Sequence, residues 1–179
     1  LGVMAKAQRQ WSSAEKYYQN AIEIFKESSQ PFNEAWLYIN LGRLKIEVKE
    51  YEQANVLIHH AQNIFGKLKT REQLSTCMQL LGVIAIERNE ISRAIEYFRE
   101  SLEYYNENWE ARIQLSNTLI ASGDFISAQN YSELCLKSTP EWKLLAQLSI
   151  TIAKLCQIGI DGATPSINNA RTMFSRGVK

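Results

Sequence analysis

The sequence predicts an all-α fold, an α-solenoid of antiparallel helix pairs with about nine helices in all. Three observations predict it. Leu-Gly recurs at Leu1-Gly2, Leu41-Gly42 and Leu81-Gly82, forty residues apart, and an alanine follows each glycine after twelve residues, at Ala14, Ala54 and Ala94. A fourth copy, Leu115-Ser116 with Ala128, keeps the inner offset but arrives after thirty-four residues. Around each alanine, side chains of matched size recur three before and four, seven and eleven after it, which is the spacing of one helical face.

The elements follow in order from these offsets. Three residues before the alanines stand Trp11, Tyr51, Ile91 and Phe125; four after stand Tyr18, Ile58, Phe98 and then Ser132. Seven after, the side chain is small (Ala21, Ala61, Ser101, Cys135), and eleven after it is Phe25, Phe65 or Tyr105, with Thr139 breaking the pattern. Small residues let two helices approach to about 8–10 Å while large ones fill the space beside the contact. Each unit therefore reads as a first helix carrying Leu-Gly and a second helix carrying the alanine. The turns between them are Arg9-Gln10, Lys49-Glu50, Asn89-Glu90 and Gly123-Asp124.

Thr139-Pro140-Glu141 reads as the next helix start, with a capping hydroxyl, proline at the first helical position and an acid near the positive end of the dipole. Trp142 precedes Leu148 by six residues, as Trp109 precedes Leu115, so a fifth first helix runs to about Gln157 in the same register. Ile158 to Ala163 forms a glycine-containing loop, and Thr164-Pro165 opens a last helix in which Ala170 and Phe174 repeat the alanine-plus-four spacing. The expected organisation is a repeat region over 1–137, its first copy truncated, and a divergent helix pair over 138–179 that caps the same solenoid. A chain that starts at Leu1 inside a repeat is expected to be a fragment or a processed product.

Composition excludes several classes. Of 179 residues, 20 are Lys or Arg and 19 are Asp or Glu, so no net field favours nucleic acid or an anionic membrane surface. No apolar run approaches the roughly 18 residues that would span a bilayer. Cys77, Cys135 and Cys156, odd in number and widely spaced, point to reduced, buried thiols and a cytoplasmic setting. His59 and His60 are adjacent, so on a helix they point about 100° apart and cannot grip one metal. Glu47 and Glu87 occupy equivalent places, as solvated helix-surface acids do. No phosphate loop or nucleophile motif is present. An enzyme, a metal and a cofactor are therefore not expected.

The Leu-Gly, Tyr and Ala signature resembles the tetratricopeptide repeat, a helix–turn–helix unit of about 34 residues. The likeness covers residues 1 to about 137, and the forty-residue step, with segments such as 20–25 and 40–42, resembles the long-helix variety found in kinesin light chains and bacterial peptide-sensing regulators. The resemblance implies a right-handed superhelix whose concave groove binds protein or peptide. It places groove positions on first helices: Trp36, Ile39, Asn40 and Arg43 in the second unit, Gln79 and Val83 in the third, Gln114 and Asn117 in the fourth, with Val3, Lys6 and Gln147 at the ends. Amides carry both donor and acceptor and can pair with a peptide backbone whatever its sequence, while Ile, Val and Leu neighbours take up side chains. A clamp for a C-terminal carboxylate is not expected, since Ile39, Gln79 and Ile113 stand where its first lysine would be.

The expected function is a protein- or peptide-binding scaffold. A sensor domain controlled by a short signalling peptide and a structural subunit of a stable assembly are the two alternatives.

Overall fold

The stripes marked by the Leu-Gly and alanine offsets become helices. The computed structural model describes residues 11–136 together with Ala146, Ser149, Ile150, Thr151 and Ala153. Seven helices fall among the described residues: α1 (Trp11–Glu27), α2 (Pro31–Glu47), α3 (Tyr51–Leu68), α4 (Arg71–Glu87), α5 (Ile91–Tyr104), α6 (Trp109–Ser122) and α7 (Phe125–Cys135), with no strand among them. Leu41-Gly42 lies in α2 and Ala54 in α3, Leu81-Gly82 in α4 and Ala94 in α5, Leu115-Ser116 in α6 and Ala128 in α7, so each first helix and second helix falls where the offsets put it. The truncated first Leu-Gly with Val3, Lys6 and the Arg9-Gln10 turn, the tail start at 139–141, Trp142, Gln147, Cys156 and the final helix lie outside the described residues, as does the expected boundary at 137/138.

Four of the helix ends are built alike. Ser29, Lys49, Lys69 and Asn89 adopt left-handed backbone at φ of 53°, 64°, 56° and 64°, spaced twenty residues apart. After each, the next amide reaches back to close the helix: Gln30 N donates to Phe25 O at 2.9 Å, Glu50 N to Lys45 O at 2.8 Å, Thr70 N to Phe65 O at 3.1 Å and Glu90 N to Ala85 O at 2.8 Å. These six-to-one bonds satisfy carbonyls that the helix itself leaves open. Gln30, Glu50 and Glu90 then serve as N-cap of the following helix, so a left-handed residue and a cap make the whole turn.

The thirty-four-residue step has a simple structural origin. Helix α5 has 14 residues where α3 has 18, a loss of one turn. Leu115 is seventh in α6 where Leu81 is eleventh in α4, a second lost turn, and the linker 105–108 is two residues longer than 69–70. Tyr105 ends α5 in extended backbone, and Asn108 caps α6 by accepting from Ala111 N at 3.0 Å.

The chain divides into two compact units, Leu1–Ile84 and Ala85–Lys179, the division falling inside α4. In the first, α2 packs on both α1 and α3. Its core joins Ala14, Tyr18 and Ile22 of α1 to Leu41 and Leu44 of α2, with Leu37, Tyr38 and Leu57 beside them. Gly42 sits at the close approach: a Cβ there would stand 3.0 Å from Ile58 Cγ1. In the second unit, α6 packs on α5 and α7. Here Ser116 replaces the glycine, and its hydroxyl donates to Ala128 O at 2.8 Å and meets Ser132 Oγ at 2.5 Å. Ala146, Ser149, Ile150 and Ala153 are helical and buried, and Ala146 joins Ile113 and Cys135 in a cluster against Trp109. These residues fall within the span expected for the fifth first helix, whose register to Leu148 lies outside the described residues.

Candidate functional site

First helices are buried over most of their surface, which decides how much of each groove position can meet a ligand. On α2, Trp36, Asn40 and Arg43 stand at i, i+4 and i+7 and so share a face. Trp36 is 40% exposed, and Asn40 and Arg43 are half-buried. Trp36 and its neighbour Phe32, 44% exposed, both set their rings edge-on to Phe65, at centroid distances of 6.5 and 5.6 Å. Buried Phe65 thus positions two aromatic surfaces. The Arg43 Nε is buried with no hydrogen-bond partner, which leaves donor capacity unspent on this helix. Val83 on α4 is half-buried.

The other groove positions are enclosed. Ile39 has no exposure and belongs to the core, and Gln79 on α4 is 1% exposed. In the second unit Gln114 and Asn117 are 4% and 7% exposed. A buried amide needs partners, and Asn117 has one: its Oδ1 accepts from Ser149 Oγ at 2.7 Å. Gln79 and Gln114 are engaged within the molecule as well. The offset from Leu-Gly therefore brings Trp36, Asn40 and Arg43 together on one surface of the first unit, and delivers the remaining amides into packing.

Sequence reasoning passed over a charged feature on the opposite side of α2. Lys45, 5% exposed, stands where the third and fourth units have buried Ala85 and Leu119. Its Nζ lies 2.8 Å from Glu15 on α1 and 2.8 Å from Glu50 at the N-cap of α3. Burial works against its charge, but the two carboxylate hydrogen bonds and their Coulomb attraction outweigh it and raise its pKa above the usual lysine value. The visible signal was a lysine in register with apolar residues.

Arg112 is the second buried cation, 3% exposed, with Nη2 donating to the Asn106 carbonyl and side chain at 2.5 and 2.6 Å and its guanidinium 5.5 Å from the Trp109 ring centre. Burial lowers its pKa. Trp109 accordingly serves packing.

Reactive chemistry finds no footing in the described thiols. Burial pushes Cys77 up to about 12 and Cys135 up to about 11, far from the thiolate that nucleophilic or metal-binding work requires. His60 stacks on Tyr38 at 5.5 Å and His59 meets Gln62 at 2.8 Å, both local roles. Among the described residues no group of three His, Cys, Asp or Glu could hold a metal ion, and no helix is long and apolar enough to cross a membrane.

No curated protein matches the chain in sequence. Among solved structures, one containing the nearly identical TPR-like repeats of a candidate kinesin light chain from Podosopora anserina superposes with a TM-score of 0.71 at 13% identity, covering 100% of this chain and 94% of that one. BtubC (BKLC) from P. vanneervenii gives a TM-score of 0.57 at 18% identity, over 93% of this chain and 64% of that one. At such identities the likeness is one of fold. The tetratricopeptide repeat family model matches residues 33–107, which span α2 to α5. With its helix pairs, Leu-Gly and alanine contacts and solenoid neighbours agreeing, the chain has the tetratricopeptide-type helical repeat fold, and residues 33–107 match the tetratricopeptide repeat family.

Proposed function

We propose that this chain is a protein-binding module that recruits its partner through a linear peptide laid on the first-helix face of α2, in a cytosolic setting. The observation that carries the reading is the line Trp36, Asn40, Arg43, which combines an exposed aromatic ring, an amide and a guanidinium with an unused buried donor. An aromatic surface anchors an apolar side chain at low entropic cost, and the amide and guanidinium meet backbone or side-chain oxygens of an extended segment. Val83 offers apolar area on the next first helix of the same unit. The buried amides Gln79, Gln114 and Asn117 do not contact the peptide.

The test is affinity capture by the 179-residue chain, followed by titration of the captured partner's binding segment. Replacing Trp36, Asn40 and Arg43 together by alanine should weaken binding at least a hundredfold with an unchanged melting temperature. An undiminished affinity would reject the α2 face, and capture of nothing but further copies of the chain would favour the structural-subunit reading instead.

A further inference from the structure

The line Trp36, Asn40, Arg43 carries a length as well as a composition. Along α2, Trp36 and Arg43 stand about 10.5 Å apart and only about 20° apart around the axis. A peptide laid along the helix must offer two side chains to that face at the same separation. A β-strand offers every second residue, at about 6.7 or 13.4 Å, and matches at neither. Polyproline II has three residues per turn and rises about 3.1 Å per residue, so its first and fourth side chains share a face about 9.3 Å apart. That spacing falls about 1 Å short of the distance along α2, within the reach of an arginine stem. The two ends differ in chemistry. Phe32 and Trp36, 44% and 40% exposed, form an apolar step backed by Phe65. Arg43 is half-buried and forms no ion pair among the described residues. A cation partly withdrawn from water gains more from an incoming carboxylate than a fully hydrated one does. Between the ends stands Asn40, about 6 Å along the axis from Trp36. Its amide calls for open backbone groups, which polyproline II offers and an α-helical ligand, bonded within itself, does not.

We propose that the peptide on this face lies as polyproline II, with a leucine or proline on Trp36 and a glutamate or aspartate three residues away on Arg43. The two residues between them lend their backbone to Asn40. This rests on the α2 face being the peptide site, and it adds the conformation, charge and register of the occupant. A basic segment would bring like charge to Arg43, so charge selects against it.

Fluorescence anisotropy of labelled proline-rich peptides, titrated with the full chain, tests it. One leucine and one glutamate are set in a polyproline host two, three or four residues apart, in both orders. In one order the three-residue spacing should bind at least tenfold tighter than the other two, and should weaken with added salt. Exchanging its glutamate for glutamine should cost at least fivefold against the wild type. Against Arg43→Met, which keeps the apolar volume of the stem, the glutamate and glutamine peptides should bind alike. The proposal is overturned by absence of saturable binding, by indifference to spacing, by equal binding of the glutamine peptide to the wild type, or by tighter binding of an alanine-based helical peptide with the pair seven residues apart. If the Trp36, Asn40, Arg43 triple variant still loses its captured partner in any of these cases, the α2 face stands and only its polyproline occupant falls. Undiminished capture by that variant removes both.

Discussion

Lys45 shows how a single side chain joins three helices. It sits in the stripe of α2 that the other repeats fill with Ala85 and Leu119, and it links Glu15 of α1 to the first residue before α3. Because its folded pKa is raised, the ion triad stabilises the fold in full below the unfolded lysine value of about 10.5 and loses that contribution as pH rises through the higher folded value. Lys45→Met should stay within about 1 kcal/mol of wild type at pH 7, because methionine fills the stem's volume and both carboxylates are exposed enough to rehydrate. Urea midpoints followed from pH 8 to 12 should fall more steeply for the wild type than for Lys45→Met. Parallel curves would mean the triad contributes nothing.

A second residue-scale prediction concerns matched pairs across the helix contact. Gly42 faces Ile58, and Ser116 faces Ser132, so a small first-helix residue admits a large partner and a larger one requires a small partner. Ser132→Ile should cost about 1–3 kcal/mol by overpacking against Ser116 and stranding its hydroxyl. Adding Ser116→Gly should recover at least half of that loss in a double-mutant cycle, whereas additive losses would show the pairing to be coincidental.

At the scale of elements, the turns carry a removable cost. Lys69 holds left-handed backbone at φ 56°, and its helix end would accept glycine without a Cβ penalty. Lys69→Gly should raise stability by about 0.5 kcal/mol, read as a higher urea midpoint with an unchanged slope. A lower midpoint would mean that the lysine side chain contributes more than the backbone strain costs. Elements also explain what sequence could and could not disclose. Second helices such as α5 are amphipathic, with Ala94, Phe98, Ser101 and Leu102 buried on one side, so their stripes were legible. In α6 every residue from Ala111 to Ile120 is buried. A helix enclosed all round has no polar face to mark its orientation. That is why an offset from Leu-Gly grouped half-buried Asn40 with enclosed Gln114 and Asn117, and why Lys45, one charge inside an apolar register, escaped notice.

At the scale of the whole molecule, each unit holds one described thiol buried in its core, Cys77 in the first and Cys135 in the second. Burial keeps both protonated, so neither should react with a disulfide reagent until its unit opens. In a Cys156→Ser background, labelling followed by mass spectrometry should find both protected in native buffer and should report unit by unit where protection is lost as urea rises. Rapid labelling of either in native buffer would show that its helices do not pack as described.

The left-handed residues at 29, 49, 69 and 89 reverse the chain every twenty residues, so the fold has a parity. A duplication or deletion of twenty residues would exchange ascending for descending helices downstream and turn every later ligand face to the wrong side. Forty residues preserve it. So does the thirty-four-residue step, because its loss is shared by a descending and an ascending helix, one turn each. Growth of such a chain is therefore constrained to even numbers of helices, and an engineered graft at Lys49 or Asn89 should keep its register only when it obeys the same count.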